Sequence, residues 1–249
     1  MNQVAFDDMT DVYEAMIDWP KRLGHEGPFY RRLFERAGVR SVLDSACGTG
    51  RHAAMFHDWG LRVEGADVNA GMIQRARAHF GEPSGLRWVV RAFDQPVRPR
   101  EPFDAAICVG NSLALAPDVA TVGRAVREML AAVRPGGLLV LHVLNLWRLP
   151  DGPCRWQKCQ RASLQRGDVL ILKGIHRCGR DGYVDLVVAQ LDSPAQMQSE
   201  SVRLLGLEAT DLQQLARQAG ASRVQLLGNY QDQPYNRDQS VDLVLVAEE

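Results

Sequence analysis

The stretch Val42-Leu43-Asp44-Ser45-Ala46-Cys47-Gly48-Thr49-Gly50-Arg51-His52-Ala53 constrains the fold of this chain more than any other. An apolar run of strand character enters a turn holding two glycines and leaves as a helix. Gly48 and Gly50 let the backbone bend sharply and let a bound molecule approach without interference from a β-carbon, and the helix start offers unpaired N–H groups. As letters, Gly48 to Ala53 also satisfies the G-x-G-x-x-A dinucleotide pattern, so the turn alone does not choose a cofactor.

Around this turn the chain has an α/β rhythm. Short apolar runs at Val42–Ala46, Arg62–Ala66, Leu86–Ala92, Phe103–Val109 and Leu138–Val143 alternate with helical patterns, which predicts βαβ units and a parallel sheet. Val122, Val126, Met129, Leu130 and Val133 share one helical face, and Arg134-Pro135-Gly136-Gly137 reads as the helix end. The rhythm then changes. Val169–Leu172 and Tyr183–Val188 flank Asp181-Gly182, the pattern of an antiparallel hairpin. Thr210-x-x-Gln213 resumes the α/β pattern as a capping box, and strands follow at Val224–Leu227 and Val241–Val246. The expected organisation is a helical cover segment over 1–40, a Rossmann-like core over 41–145, an antiparallel lid lobe over 146–206 and the remainder of the core over 207–249.

Composition narrows the function classes. With 249 residues, a formal charge of −1 and 46% hydrophobic residues, the chain can build one large α/β core. It has no chain-wide field for nucleic acid or an anionic membrane. The cluster Arg155, Lys158, Arg161 and Arg166 reads as a solvated surface of the lobe. No apolar run is long enough to span a bilayer, and the acidic start carrying Asp7, Asp8, Asp11 and Glu14 is unlike a signal peptide, so a cytoplasmic protein is expected. Five cysteines are an odd number, which points to free thiols. Cys154 and Cys159 have a C-x4-C spacing, but no second close pair follows and the nearest downstream histidine is His176, so no metal centre is expected.

Two carboxylates carry more information. Asp67 closes the second apolar run, 17 positions after Gly50, where an acid can accept both hydroxyls of a ribose. It can also cap the helix starting near Asn69. Asp44 lies inside the apolar run itself, and a buried carboxylate is costly unless donors or a cation meet it. A positively charged ligand would supply that cation.

Taken together, Val42–Gly50, Asp67, the run Phe103 to Ser112 and the run Val133 to Val140 resemble the class I S-adenosylmethionine-dependent methyltransferases. The resemblance implies a doubly wound, mostly parallel sheet of seven strands, with S-adenosylmethionine held at the carboxyl ends of the strands. It implies that Asp44 and the turn Ala46, Cys47, Gly48 and Gly50 hold the methionine part, that Asp67 takes the ribose, and that Val68 flanks the adenine. It further implies that Phe93 and Asp94 close over the adenine, that Val109 contacts the cofactor, and that Gly110, Asn111 and Ser112 border the methyl-transfer pocket. Ala46–Gly50, Cys108 to Ala114 and Asn145 are similar to the glycine N-methyltransferase-like group. In that group an arginine before the asparagine pairs with the glycine carboxylate, whereas Leu144 stands here. Glycine is therefore expected to be a poor acceptor, and Arg148 or Arg203 is the candidate replacement cation.

Methyl transfer from a sulfonium is an in-line displacement that depends mainly on orientation. Where the acceptor needs a base, His142, His52, Tyr13 and Tyr235 are the candidates, His142 and Tyr13 foremost, although His142 also fits a core position and His52 a helix surface. Asn145, Trp147, Arg148 and Tyr235 are expected at the substrate, and Tyr13, Trp19, Tyr230 and Tyr235 as ring partners for a cation. The expected partner is a small molecule, N- or O-methylated, with no nucleic acid and no membrane; self-association stays open. Two other readings stay open as well: an NAD-dependent oxidoreductase using the same turn, and a non-catalytic S-adenosylmethionine-binding module.

Overall fold

The computed structural model describes residues 10–164, 167–191 and 196–249. Two helices open it, α1 (Thr10–Met16) and α2 (Trp19–Ala37). A seven-stranded sheet follows, built from β1 (Ser41–Ser45), β2 (Arg62–Asp67), β3 (Leu86–Val90), β4 (Phe103–Cys108), β5 (Val133–Leu144), β10 (Arg223–Leu227) and β11 (Asp242–Glu248). Its order is β10-β11-β5-β4-β1-β2-β3. β1 through β5 pair in parallel, whereas β11 runs antiparallel to both β5 and β10.

Helices cover both faces, which is why β1 and β4 are buried at every position and read as continuous apolar runs. Ala105 and Ile107 of β4 face α2, α3 (Arg51–Asp58) and α4 (Ala70–Phe80), through Phe29, Tyr30, Phe34, Phe56 and Ile73. Ala106 and Cys108, one position out of phase, face α5 (Val119–Ala131) and α6 (Ala209–Gln218), through Val122, Val126, Met129, Leu212 and Ala216.

A second, antiparallel sheet of β6 (Arg155–Leu164), β7 (Gly167–Cys178), β8 (Asp181–Gln190) and β9 (Met197–Leu204) lies between β5 and α6 in the chain. Its inner face carries Val169, Ile171 and Leu186, which close on Val12 of α1. Of the basic cluster, the Lys158 ammonium donates to the Met16 carbonyl and Arg161 pairs with Asp168, while Arg166 lies outside the described residues. Among the described residues no helix is long and apolar enough to cross a membrane.

Three local expectations shift. β5 begins at Val133, not Leu138, because a register shift between Phe103 and Ala105 absorbs the Pro-Gly-Gly segment into the strand. The β7–β8 turn is Gly179-Arg180, closed by the strand pair Cys178 and Asp181, with Gly179 at φ 60°; Asp181-Gly182 already belongs to β8. The α6 capping box is Glu208 with Asp211, since Asp211 accepts from the Glu208 N–H at 3.1 Å.

Gly50 shows how tightly the turn is built. It sits at φ 81°, and a β-carbon there would lie 2.5 Å from Trp88 Cη2 and 3.0 Å from Ala76 Cβ. Strain and overlap act together, so Gly50→Ala is expected to destabilise the protein by about 3 kcal/mol. Urea denaturation checks this; a loss below about 1 kcal/mol would contradict the packing argument.

Candidate functional site

The site grows from the β1–α3 turn. Ala46, Gly48 and Gly50 all adopt left-handed backbone, at φ 72°, 55° and 81°. The Ala46 and Cys47 N–H groups donate to the Ala66 carbonyl at 2.7 and 2.8 Å, pinning the turn to the end of β2. Asp67 completes the brace: its Oδ2 accepts from the Gly48 N–H at 2.8 Å and its Oδ1 from the Asn69 N–H at 2.9 Å. The helix cap itself is Asn69, which accepts from Gly71 and Met72. Burial raises the Asp67 pKa against these backbone donors.

Asp44 lies at 1% exposure beneath the turn, and neither carboxylate oxygen has a hydrogen-bond partner. Burial first, and the charge of Asp67 second, push its pKa up to about 7. An orphaned carboxylate in this position calls for a cation. The Cys47 thiol is pushed up by the same burial and the same two acids, so it stays protonated as a lining group.

The roof of the site comes from α1 and α2. The Tyr13 hydroxyl stands over Gly48, 3.9 Å from where a β-carbon would lie. The Arg22 guanidinium stands over Gly110, 3.3 Å from the corresponding point. Arg22 Nε donates to Glu26 at 2.8 Å, and Glu26 also meets His52 Nε2 at 2.7 Å. Burial would raise Glu26, but the His52 hydrogen bond and the nearby positive charges bring it down to about 2. His52 is thus a buried partner of Glu26 and not a helix-surface residue, because α2 packs over the first turn of α3. Glu14 of α1 pairs with Arg51 and accepts from Thr49, and Asp11 pairs with Arg75.

The expected cofactor residues stand around this turn. Val68 is 67% exposed, an apolar side chain open to a flat partner. Phe93 is half-buried against the core, and Val109, the residue after β4, is buried. Asp94 Oδ2 is engaged by Arg124 at 3.2 Å, which leaves less of this carboxylate for an adenine amino group.

Two expected bases lack the freedom for that role. His142 Nδ1 accepts from the Gly110 N–H at 3.1 Å while Nε2 faces Asp242 Oδ1 at 3.1 Å, so both ring nitrogens are used within the protein. The Tyr13 phenol is pushed up to about 12 by burial, with the charge of Arg22 opposing and nearby acids adding, so it keeps its proton and can only donate or accept hydrogen bonds.

The expected substrate residues divide. Asn111, at φ 75°, accepts from the Leu144 N–H at 2.9 Å and so fixes the rim formed by the ends of β4 and β5. Asn145 is buried, its Nδ2 donating to the Arg237 and Ser240 carbonyls and its Oδ1 accepting from the Trp147 N–H and the Tyr235 hydroxyl. Those four bonds use its whole capacity, which makes it a positioning residue and commits Tyr235 as well. Trp147 donates from its indole N–H to the Leu207 carbonyl and lies under the guanidinium groups of Arg177, Arg180 and Arg237. Arg148 is exposed, and Arg203 is held by Asp181 at 2.8 Å. Tyr230 is buried against Phe29 and Tyr30 as core packing.

The sequence reading missed Arg22, Glu26 and Lys173. Lys173 is a half-buried cation on β7, lowered by burial and then by the charges of Lys158 and Arg22. Its signal was the one that marked Asp44, a charge inside the apolar run Val169 to Ile175.

Comparison with known proteins gives the same picture. A family profile described as "Methyltransferase domain" matches residues 42–137. The glycine/sarcosine N-methyltransferase of Parasynechococcus marenigrum is 32% identical over 185 residues, covering 72% of this chain and 60% of that protein. The glycine N-methyltransferase of Homo sapiens is 33% identical over 195 residues, covering 69% and 65%. The chain thus spans 60% and 53% of the first two curated relatives it matches. Among solved structures, the S-adenosylmethionine-bound amino pentose methyltransferase of Micromonospora echinaspora superposes with a TM-score of 0.72 at 22% identity, covering 95% of this chain and 96% of that one. A sugar N-methyltransferase from Streptoalloteichus superposes with a TM-score of 0.74 at 23% identity, covering 90% and 87%.

Proposed function

The chain belongs to the class I S-adenosylmethionine-dependent methyltransferases, and on that premise we propose that it methylates the nitrogen of a small-molecule amine. The observation that carries this reading is Asp44, a buried carboxylate with no partner under the glycine turn. It suits the ammonium of the methionine part, whereas the pyrophosphate of a nicotinamide dinucleotide would face an uncompensated negative charge there. Arg22, whose charge acts on Asp44, suits the neighbouring carboxylate. Asp67 retains lone pairs for a ribose, and Val68 and Phe93 offer apolar surface to adenine. Bound in this way, S-adenosylmethionine supplies a methyl group on a positively charged sulfur.

The protein's own contribution is then placement. The left-handed turn fixes one partner and the α1 roof, with Tyr13 over Gly48, excludes water from it. Neither His142 nor Tyr13 is free to remove a proton, so the acceptor enters with its nitrogen lone pair available. That requirement favours an amine over an alcohol, whose oxygen needs a base. Lys173, near Arg22, favours an acceptor that also carries an anionic group.

The test is a metabolite-extract screen with isotopically labelled methyl donor, reading which product masses gain the label and on which atom. Label on the nitrogen of a small amine is the expected result; label confined to oxygen, or none at all, would overturn the reading. With Leu144 in place of the guanidinium, glycine is expected to react at least about tenfold more slowly than the best amine found, the loss of one bidentate charged contact. Sarcosine formation at a comparable kcat/KM would refute this.

A further inference from the structure

The lobe carries a cluster of ligating side chains that methyl transfer does not use. Cys154 precedes β6, His176 lies on β7 and Asp185 on β8, yet one ligand atom from each falls within 4.8 Å of the others. His176 and Asp185 are brought together by the register, in which Gly174 faces Asp185 and His176 faces Tyr183. Gly174 is what admits the third member: any β-carbon at 174 would overlap the Cys154 sulfur. All three residues are half-buried.

We propose that Cys154, His176 and Asp185 form a zinc-binding site that fastens the segment leading into β6 to the β7–β8 hairpin, with the fourth position left to water. The set of one sulfur, one imidazole nitrogen and one carboxylate oxygen suits this borderline metal. Tetrahedral zinc with bonds of about 2.0–2.3 Å holds its ligand atoms about 3.3–3.8 Å apart, within the spread seen here. His176 Nδ1 is buried and 3.0 Å from Asp185 Oδ2, yet makes no aligned hydrogen bond to it. A metal ion would take the place of a proton between these two lone-pair carriers, and the Cys154 sulfur within the same 4.8 Å would be its third donor.

The surroundings orient these ligands as an outer shell does. Ser201, opposite Asp185 in the β8–β9 ladder, hydrogen-bonds the carboxylate. The Tyr183 ring stacks on the imidazole at 5.2 Å and 16°, fixing its plane. A nucleophilic triad fits less well, because the thiol hydrogen-bonds Asp185, and burial and that acid hold its pKa above the ordinary range. Cys159, the partner that the C-x4-C spacing suggested, is exposed and outside the cluster.

The inference is independent of the methyl-transfer reading, and so is its test. The full chain, kept reduced and treated with chelator, is titrated with Zn2+ against a chromogenic competitor and with Co2+ for thiolate-to-metal charge-transfer absorption. The expected result is one ion per chain, with the charge-transfer band lost in Cys154→Ser. Affinity should fall at least about 100-fold in Cys154→Ser and His176→Ala, fall about tenfold in Ser201→Ala, and stay unchanged in Cys159→Ser. Circular dichroism and S-adenosylmethionine binding establish that each variant is folded. Should Cys154→Ser fail to fold, His176→Ala and the unaltered chain still decide. No zinc bound at micromolar concentration, or affinity indifferent to the His176 change, would overturn the proposal.

Discussion

Asp44→Asn is expected to weaken S-adenosylmethionine binding by about 10²–10³-fold while making the cofactor-free protein more stable. The two effects share one cause. Removing one partner of a buried ion pair costs about 3–5 kcal/mol, and the lower part of that range is the affinity loss stated. Without cofactor there is no partner to lose, and the carboxylate is only a liability. Its folded pKa of about 7 stands above the ordinary carboxyl value of 3.8. A carboxyl raised in this way is stabilising while protonated, so its contribution is intact below about pH 4 and is lost as pH rises towards 7. At pH 8 the penalty is on the order of a few kcal/mol, and the asparagine variant escapes it. Melting temperatures of the two proteins should therefore agree in acid and separate through the neutral range. By the same argument the unaltered protein should bind its cofactor more tightly as pH rises to about 7 and level off above. Calorimetric titration and thermal melts across this range check both halves. Unchanged affinity, or a less stable variant at pH 8, would sink the assignment of Asp44 to the ammonium.

Asp67→Ala should lose cofactor binding altogether, by about 10³-fold or more. Here binding and architecture fail together, because the same carboxylate braces the Gly48 and Asn69 N–H groups. Each backbone donor left without its acceptor costs on the order of 1 kcal/mol, so a stability loss of about 2 kcal/mol should accompany the loss of affinity. Asp67→Asn separates the contributions. Its single amide oxygen can serve one backbone donor but cannot accept from two ribose hydroxyls, so stability should recover more than affinity. A full return of affinity in the asparagine variant would show that the carboxylate serves only the loop.

The parts of this molecule that were legible in the sequence are those in which one short segment contains its own explanation. β1 and β4 read correctly because strands buried on both faces are apolar throughout, and the turn read correctly because left-handed residues and close approach need glycine. Asp44 stood out as a charge where none belongs. What failed depended on partners distant in the chain. His52 resembled a surface residue until α2 supplied Glu26, and Asn145 resembled a substrate ligand until the segment Tyr235 to Ser240 claimed three of its four hydrogen bonds. The shifted turn, cap and strand start are displacements of a few residues, decided by register and not by propensity. The ligand cluster of the lobe was hidden for the same reason: its residues are neighbours across two strands and the segment leading into β6, while the spacing along the chain singled out the wrong cysteine.

The seven residues of α1 are gripped from two sides. Glu14 and Asp11 tie the helix to Thr49, Arg51 and Arg75 of the core, while Lys158 and Gln160 of the lobe hold the carbonyls of Met16 and Ala15. Nearly all of these ties are polar, so they loosen with salt and can be broken one at a time. On the proposed seat beneath Tyr13, a spent cofactor would leave only once this latch parts on one side. The tempo of turnover would then be set by unlatching as much as by chemistry, and changes on the lobe, far from the sulfur, would become a means of adjusting it.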